Sequence, residues 1–129
     1  MLNSDRFRRT PFPAIALHAS ALSLAHFYDD VTKPHGFVAE RLGPPVWRAY
    51  LQAAAQGHDR VLDRSVTWTL GFQISEEKGR VEVGMGGAGG CSAWCEPAAR
   101  YGAAFVTRQL GSHQRGEAVW ESISAAFPP

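Results

Sequence analysis

The pattern of the sequence changes at Val66, and this change limits the possible folds more than any other feature. The run VTWTLGFQI is rich in β-branched and aromatic residues, which favour strands. The EEKG that follows has the composition of a hairpin turn, and further runs with strand character are RVEVGM, CSAWCEP and YGAAFVTRQL. Short connections join antiparallel neighbours. The second half of the chain therefore predicts an antiparallel meander.

Helical spacing of apolar residues flanks this β region on both sides. In HASALSLAHFYDDV, Ser20 is a suitable N-cap for a first helix. Residues 37–42 predict a second helix, Gly43-Pro44-Pro45 interrupts it, and residues 46–55 have the composition of a third. The tail predicts a closing helix from the spacing of Val119, Trp120, Ile123 and Phe127. Helices, then a meander, then one helix predict an α+β fold.

The balance of charge argues against several classes of partner. The chain has 129 residues with 13 Lys+Arg against 12 Asp+Glu, so it offers no basic field to nucleic acid or to an anionic membrane. No apolar run approaches the ~20 residues that span a bilayer. Two prolines break the apolar stretch near the N-terminus, so no signal peptide is predicted. The sequence predicts a cytoplasmic protein with no nucleic-acid partner and no membrane partner.

The two cysteines, Cys91 and Cys95, lie four residues apart. On a strand they occupy one face about 13 Å apart, which is beyond the ~7 Å between Cα atoms that a disulfide permits. His58 and His113 show no spacing that would add ligands to a metal pair. We therefore expect two small free thiols, no metal site and no cofactor.

Two short motifs match catalytic signatures without the structural context that the chemistry requires. Gly84 to Gly89 fits G-x-G-x-x-G, but a dinucleotide site needs a helix that begins at these glycines, and the next segment predicts a strand. Glycine here favours a bent strand with close backbone approach. Ser75 and Lys78 fit Ser-x-x-Lys, in which a desolvated lysine deprotonates a serine. An exposed turn does not desolvate that lysine, so no catalytic residue is assigned.

Several groups of residues together resemble one protein family. The groups are Trp68, Leu70, Gly71 and Phe72, then Gly84, Gly86, Gly87, Ala88, Gly89 and Gly90, then Glu96-Pro97 and Phe105-Val106-Thr107. They resemble the final third of the serine β-lactamase-related esterases, whose members commonly read Trp-x-Leu-Gly-Phe, then Gly-His-Gly-Gly-Ala-Gly-Gly, then Asp-Pro. PAIALHASALSLAHFYDDV is similar to a helix of the same family. Because the likeness begins at Pro11, residues 1–10 are predicted to be an N-terminal arm and residues 11–129 a partial domain.

The resemblance implies a fold and the position of one wall of an active site. The fold would be the C-terminal portion of a β-lactamase/transpeptidase-like fold. In that family an early Ser-x-x-Lys helix carries the serine nucleophile and its lysine, and Tyr-x-Asn supplies a second base or acid. The glycine strand corresponds to the family's third motif, here Met85, Gly86 and Gly87. The backbone N–H of Ala88 would help to form the oxyanion hole, where one donor contributes about 3–4 kcal/mol.

The departures from the family pattern predict a fragment that is inactive alone. No Ser-x-x-Lys lies in a helical context, and Asn does not follow two residues after any of Tyr28, Tyr50 and Tyr101. Met85 stands where relatives carry His or Lys, and a thioether neither holds a cation nor shuttles a proton. We expect a truncated gene or a start further upstream, with a small ester or amide as the substrate of a completed form. The alternatives are a non-enzymatic remnant or association module, and one half of a split hydrolase.

The resemblance also implies an open sheet edge. In the family, the strand that matches residues 101–108 pairs with strands from the N-terminal part of the chain. Without those strands its unpaired N–H and C=O groups would invite association. Trp94 and Phe105 would lose the helices that cover them. We expect the chain to associate with itself through this edge.

Overall fold

The structure is a computed structural model that describes residues 4–12 and 17–127. The helices are α1 (Asp5–Arg8), α2 (Ala21–Val31), α3 (Phe37–Leu42), α4 (Pro44–Tyr50) and α5 (Gln114–Ala126). The strands are β1 (Ala55–Asp59), β2 (Arg64–Trp68), β3 (Gln73–Glu77), β4 (Arg80–Gly86), β5 (Ser92–Glu96) and β6 (Tyr101–Phe105). None of the helices in the described ranges is long and apolar enough to cross a membrane.

Parts of the sequence-based predictions fall outside the described ranges. These parts are residues 1–3 of the predicted arm, residues 13–16 of the family-like segment, and residues 128–129 at the end of the chain. Helix α1 lies within the segment predicted to be the arm. Its N-cap is Ser4, whose Oγ accepts a hydrogen bond from the Phe7 N–H at 3.3 Å. The described part of the arm therefore contains a capped helical turn.

The strands form one antiparallel sheet in the order β1-β2-β3-β4-β5-β6. The β3–β4 hairpin turns at Lys78 and Gly79, whose φ angles of 53° and 79° match the two-residue turn that twisted strands favour. EEKG is therefore the predicted hairpin turn. Helix α2 packs across β5 and β6 on one face of the sheet, and α5 lies against the other face. The predicted α+β fold, an antiparallel meander flanked by helices, is confirmed.

The segment predicted as one strand over residues 66–74 is two strands joined by a turn. Thr69 Oγ1 accepts hydrogen bonds from the N–H groups of Gly71 at 3.2 Å and Phe72 at 2.8 Å. The Thr69 N–H donates to Phe72 O at 2.8 Å. Such local bonds favour a turn over a continuous ladder. The prediction of a single strand is wrong, and β2 and β3 pair with each other.

The helix predicted over residues 46–55 is wrong at both ends. Pro44 and Pro45 occupy the first positions of α4, where a helix has no backbone hydrogen bond to lose. The two prolines therefore begin a helix that they were expected to precede. Helix α4 ends at Tyr50, and Ala55 already pairs with Trp68 in the β1–β2 ladder. Pairing with β2 overrides the helical composition of this segment.

Strand β6 is shorter than the strand predicted over residues 101–110. It ends at Phe105. Beyond it the Thr107 N–H donates to Cys91 Sγ at 3.4 Å, and the Gly111 N–H donates to Gly89 O at 2.9 Å. The chain therefore turns back toward the glycine-rich turn between β4 and β5. The closing helix follows as predicted.

The apolar core lies between α2 and the sheet. Helix α2 begins at the predicted N-cap, because Ser20 Oγ accepts a hydrogen bond from the Ser23 N–H at 3.1 Å. The buried cluster consists of Tyr28, Val31, Phe72, Val83, Ala93 and Cys95. Helix and strand approach closely at Gly102, where a Cβ would lie 2.4 Å from Ala25 O. This close contact fixes α2 over β5 and β6.

Candidate functional site

The candidate site is built around the end of β4. Side chains alternate between the two faces of a strand. Val83 is buried in the core beneath α2, whereas Glu82 accepts a hydrogen bond from Trp120 of α5. Met85 therefore belongs to the α2 face of the sheet, and Gly84 and Gly86 belong to the α5 face. At the end of β4, the exposed Met85 side chain therefore lies between two glycines, which have no side chain.

A glycine-rich turn, residues 87–90, joins β4 to β5. The Gly87 N–H donates to Cys91 O at 2.7 Å, and the Gly90 N–H donates to Gly87 O at 3.1 Å. Gly89 and Gly90 both have φ angles of 92°, a region that disfavours side chains. Strand β5 begins at Ser92, so no helix follows these glycines. The G-x-G-x-x-G match is a bent strand and turn, as the sequence predicts.

The structure places the predicted site residues Met85, Gly86, Gly87 and Ala88 side by side at this end of the sheet. The Met85 side chain is 47% exposed, and a Cβ on Gly86 would meet no atom within 4 Å. Ala88 is exposed in the turn. Within the described ranges its backbone N–H donates to no protein acceptor. The N–H is thus available to a molecule outside the chain.

Gly86, Gly87 and Ala88 border a cleft of about 930 Å³ on the α5 face of the sheet, whereas the Met85 side chain belongs to the opposite face. The floor is formed by β3, β4 and β5, with α5 on one side and the β1–β2 turn on the other. Three tryptophans line it, Trp68, Trp94 and Trp120, together with four carboxylates, Asp59, Glu77, Glu82 and Glu117. The cleft is therefore aromatic, and its four carboxylates outnumber the basic side chains Arg64 and His113.

Glu82 is the carboxylate of the cleft that α5 holds in place. Trp120 Nε1 donates a hydrogen bond to Glu82 Oε1 at 2.6 Å. Burial raises the pKa of Glu82 above its ordinary value, and the Trp120 bond partly opposes the shift. Neither Glu82 nor Trp120 is among the site residues predicted from the sequence. The sequence predicts that Glu82 lies on a strand and Trp120 on a helix. It does not predict that the two side chains are in contact.

The pKa of Asp59, at the rim of the cleft, is shifted in the opposite direction from that of Glu82. Its Oδ1 accepts hydrogen bonds from the N–H groups of Leu62 at 3.0 Å and Val61 at 2.8 Å. These bonds hold the pKa of Asp59 below its ordinary value, with a further contribution from Trp68 Nε1 at 3.4 Å. Asp59 therefore has a local structural role in closing the β1–β2 turn.

Ser75 and Lys78 do not form a nucleophile and base pair. Ser75 lies on β3, and its Oγ accepts a hydrogen bond from Gln73 Nε2 at 3.3 Å. Lys78 Nζ lies 3.9 Å from Glu77 Oε1 and 5.5 Å from the centre of the Trp120 ring. Ser75 also pairs with Glu82 across the strands, which places it on the opposite face of the sheet from Met85. The motif is part of an exposed hairpin.

Tyr28 and Cys95 offer no reactive group near β4. Tyr28 is buried against Phe72, and burial raises the pKa of Tyr28 to about 12. Cys95 donates to Val83 O at 3.2 Å, and burial raises the pKa of its thiol to about 12. Both cysteines are free thiols, Cys95 buried and Cys91 half-buried. In the part of the chain that the structure describes, no group of three His, Cys, Asp or Glu side chains could hold a metal ion.

Comparisons with known proteins identify the fold. No protein-family model matches the sequence, and no curated protein matches it. Among solved structures, the chain is similar to a novel penicillin-binding protein homologue from Caulobacter crescentus, with a TM-score of 0.72 and 23% sequence identity. The match covers 84% of this chain and 31% of that chain. The likeness shows the fold alone, which this chain shares with part of that protein, and the chain spans 31% of that protein's length.

Proposed function

We propose that this chain supplies one wall of an acyl-transfer site of the β-lactamase-related serine hydrolases. The single observation that carries the proposal is the exposed turn after β4, where the Ala88 N–H has no protein acceptor in the described ranges. A free backbone donor beside a glycine strand is the arrangement that binds an oxyanion. The fold shared with the penicillin-binding protein homologue supports the same assignment.

In this role the chain stabilises charge and does not carry the nucleophile. A serine hydroxyl from another segment attacks the carbonyl carbon of a small ester or amide, and the carbonyl oxygen becomes an oxyanion. The lysine of the same Ser-x-x-Lys segment takes the hydroxyl proton, which passes to the leaving group. The Ala88 N–H donates to that oxygen in the tetrahedral intermediate. The leaving group departs to give an acyl-serine, which water then hydrolyses. Met85 occupies the position of the family's cationic side chain and moves no proton.

The chain alone is therefore expected to hydrolyse nothing. We would incubate purified chain with a fluorophosphonate probe and, separately, with a fluorescent penicillin. We expect no covalent adduct with either, because no described serine has a lysine or histidine as its hydrogen-bond partner. The Ser75→Ala variant is the control. An adduct on the wild-type chain that Ser75→Ala abolishes would contradict the proposal.

A completed form provides the positive test. The DNA upstream of Met1 is expected to encode Ser-x-x-Lys and Tyr-x-Asn in some reading frame. When that segment is expressed with this chain, Ala88→Pro, which removes the N–H, should lower kcat by about 10²–10³-fold. Ala88→Gly keeps the N–H and should retain kcat. Equal activity of the two variants would exclude Ala88 as an oxyanion donor.

A non-enzymatic association module is the second candidate. The observation that favours it is the edge position of β6, which has a strand neighbour on one side. The absence of any upstream Ser-x-x-Lys would favour this candidate over a split or completed hydrolase. The same result would remove the basis for a catalytic role of Ala88.

A further inference from the structure

The connection between β6 and α5 runs back along the glycine-rich turn, and we call its residues 106–113 the return segment. Leu110 and Gly89 are in close contact, since a Cβ on Gly89 would lie 2.7 Å from Leu110 Cβ. A Cβ on Gly90 would lie 2.6 Å from Ser112 O. Glycine, which has no Cβ, allows the two backbones to approach this closely. The turn and the return segment therefore pack as one unit.

The return segment is held in place by bonds to its neighbours. The Thr107 N–H donates to Cys91 Sγ at 3.4 Å, immediately before β5. Thr107 Oγ1 donates to Gln109 O at 2.8 Å, and Arg115 Nη2 on α5 donates to the same oxygen at 3.0 Å. These bonds fix the position from which Gly111 contacts the turn.

A chain of hydrogen-bonded peptide groups connects Gly111 to Ala88. The Gly111 N–H donates to Gly89 O at 2.9 Å. Gly89 O and the Gly90 N–H belong to one peptide group, and the Gly90 N–H donates to Gly87 O at 3.1 Å. Gly87 O belongs in turn to the peptide group that carries the Ala88 N–H. Two peptide groups therefore lie in series between the Gly111 N–H and the acceptor of the Ala88 N–H.

The planarity of the peptide bond transmits direction along this chain. In a trans peptide group the N–H and the C=O point in opposite directions and cannot rotate separately. No peptide bond of the described residues is cis. The hydrogen bond to Gly87 O therefore sets the direction of the Ala88 N–H, and the bond to Gly89 O sets the direction of the Gly90 N–H. Hydrogen bonds in series also polarise one another, which strengthens the last donor.

We propose that the Gly111 N–H is the positioning group for the Ala88 N–H, whose direction it fixes through the two intervening peptide groups. The inference deepens the proposed function and rests on it only for its catalytic consequence. The geometric part concerns this chain alone, because every group in the series lies between residues 87 and 111. Gly111 touches no reacting atom in this role and acts only through Ala88.

Two substitutions at one position separate the N–H of Gly111 from its other properties. Gly111→Pro removes the N–H, and Gly111→Ala keeps it. The φ angle of Gly111 is not in the left-handed region, and an added Cβ would meet only Arg115 Nη2, at 3.2 Å, the end of a flexible side chain. Gly111→Ala is therefore the matched control.

A third variant removes the same N–H without the proline ring, in case Gly111→Pro does not fold. In this variant an ester replaces the peptide bond between Leu110 and Gly111. Ligation of residues 1–90 to a synthetic peptide of residues 91–129 at Cys91 would provide it. The same ligation with an ordinary peptide bond is its control.

The first test measures the Ala88 N–H by NMR in the purified, isotope-labelled chain. Residual dipolar couplings report the direction of each N–H bond, and the amides of β4 and β5 provide the reference frame. In the wild type and in Gly111→Ala, the Ala88 coupling should fit the structure, with an order parameter of about 0.85. In Gly111→Pro or the ester variant it should not fit, and the order parameter should fall below about 0.6. The same direction and order in all variants, or a disordered Ala88 N–H in the wild type, would overturn the proposal.

The second test measures the catalytic consequence in the completed form. The kcat of Gly111→Pro should be about tenfold below that of Gly111→Ala at equal KM, because an oxyanion donor acts on the intermediate and not on the bound substrate. A purely structural role would lower the melting temperature without separating kcat from KM. An altered direction of the Ala88 N–H with unchanged kcat would contradict the proposed function and leave the positioning intact. An unchanged direction would contradict the positioning, whatever the activity.

Discussion

Arg80 Nη1 lies 2.5 Å from Glu96 Oε2, and the two side chains are 5% and 2% exposed. The same guanidinium donates to Ser124 O at 2.7 Å and to Phe127 O through Nη2. One buried ion pair thus joins β4, β5 and the C-terminal end of α5. A buried charge requires a partner, because removal from water costs several kcal/mol per ion. The pair fixes the closing helix against the sheet beside the cleft.

We predict that Glu96→Gln destabilises the chain strongly. The substitution leaves the Arg80 guanidinium buried without a counter-charge, and the loss of unfolding free energy should be about 3–5 kcal/mol. Urea denaturation followed by circular dichroism would measure it. The control is the double variant Arg80→Met with Glu96→Leu, which removes both charges. Its loss should be smaller, and a larger loss would show that the ion pair itself provides net stability.

Neighbouring glycines on β4 should differ in their tolerance of a methyl group. A Cβ at Gly84 would lie 2.4 Å from Ala93 O and 2.5 Å from the Trp94 Cβ, whereas a Cβ at Gly86 would meet nothing within 4 Å. Gly84→Ala should therefore cost about 1–3 kcal/mol of unfolding free energy through overpacking. Gly86→Ala should be close to neutral. The two glycines lie two residues apart on the same face of β4. Equal losses of unfolding free energy in the two variants would therefore contradict the packing around Trp94.

The raised pKa of Glu82 predicts a dependence of stability on pH. The folded state binds this proton more tightly than the unfolded state, so stability falls as pH rises above the ordinary Glu value of 4.5. Glu82→Gln keeps an oxygen acceptor for Trp120 and removes the titration. Its melting midpoint should exceed that of the wild type by about 1–3 °C at pH 7, and the two should converge near pH 4.

Calorimetry across that pH range would check the prediction for Glu82. The matched control is Glu76→Gln, an exposed carboxylate on the neighbouring strand. If Glu76→Gln shifts the midpoint as much as Glu82→Gln does, the effect is one of net charge and not of burial in the cleft.

Met85→His should fold normally and gain no activity. The wild-type side chain is half exposed, so the substitution should change stability by about 0.5 kcal/mol or less. Activity requires a nucleophile as well as a polar group at this position. Hydrolysis of a chromogenic cephalosporin or of a nitrophenyl ester would be followed at high protein concentration. Turnover above the buffer rate that disappears with Ser75→Ala would assign the nucleophile to the exposed hairpin.

The elements α2, α3, β4, β5, β6 and α5, and their order, could be predicted from local pattern. The two-residue turn at Lys78-Gly79, the N-cap at Ser20 and the glycine turn after β4 each depend on the conformational preferences of a few adjacent residues. The position of the candidate site came instead from the resemblance to the β-lactamase-related esterases. Met85 to Ala88 are consecutive, so a strand that ends at Gly86 brings them together whatever surrounds it.

Tertiary structure decided what consecutive residues do not specify. The predicted helix extends through Ala55, and only pairing with β2 makes Ala55–Asp59 a strand. Arg80 meets Glu96 across 16 positions of sequence, and Trp120 meets Glu82 across 38. Such contacts depend on which faces of the sheet α2 and α5 cover. The sequence alone therefore determined the antiparallel meander and its glycine turn, and packing of the helices determined the buried ion pair and the acidic cleft, because those arise only when distant segments share one interior.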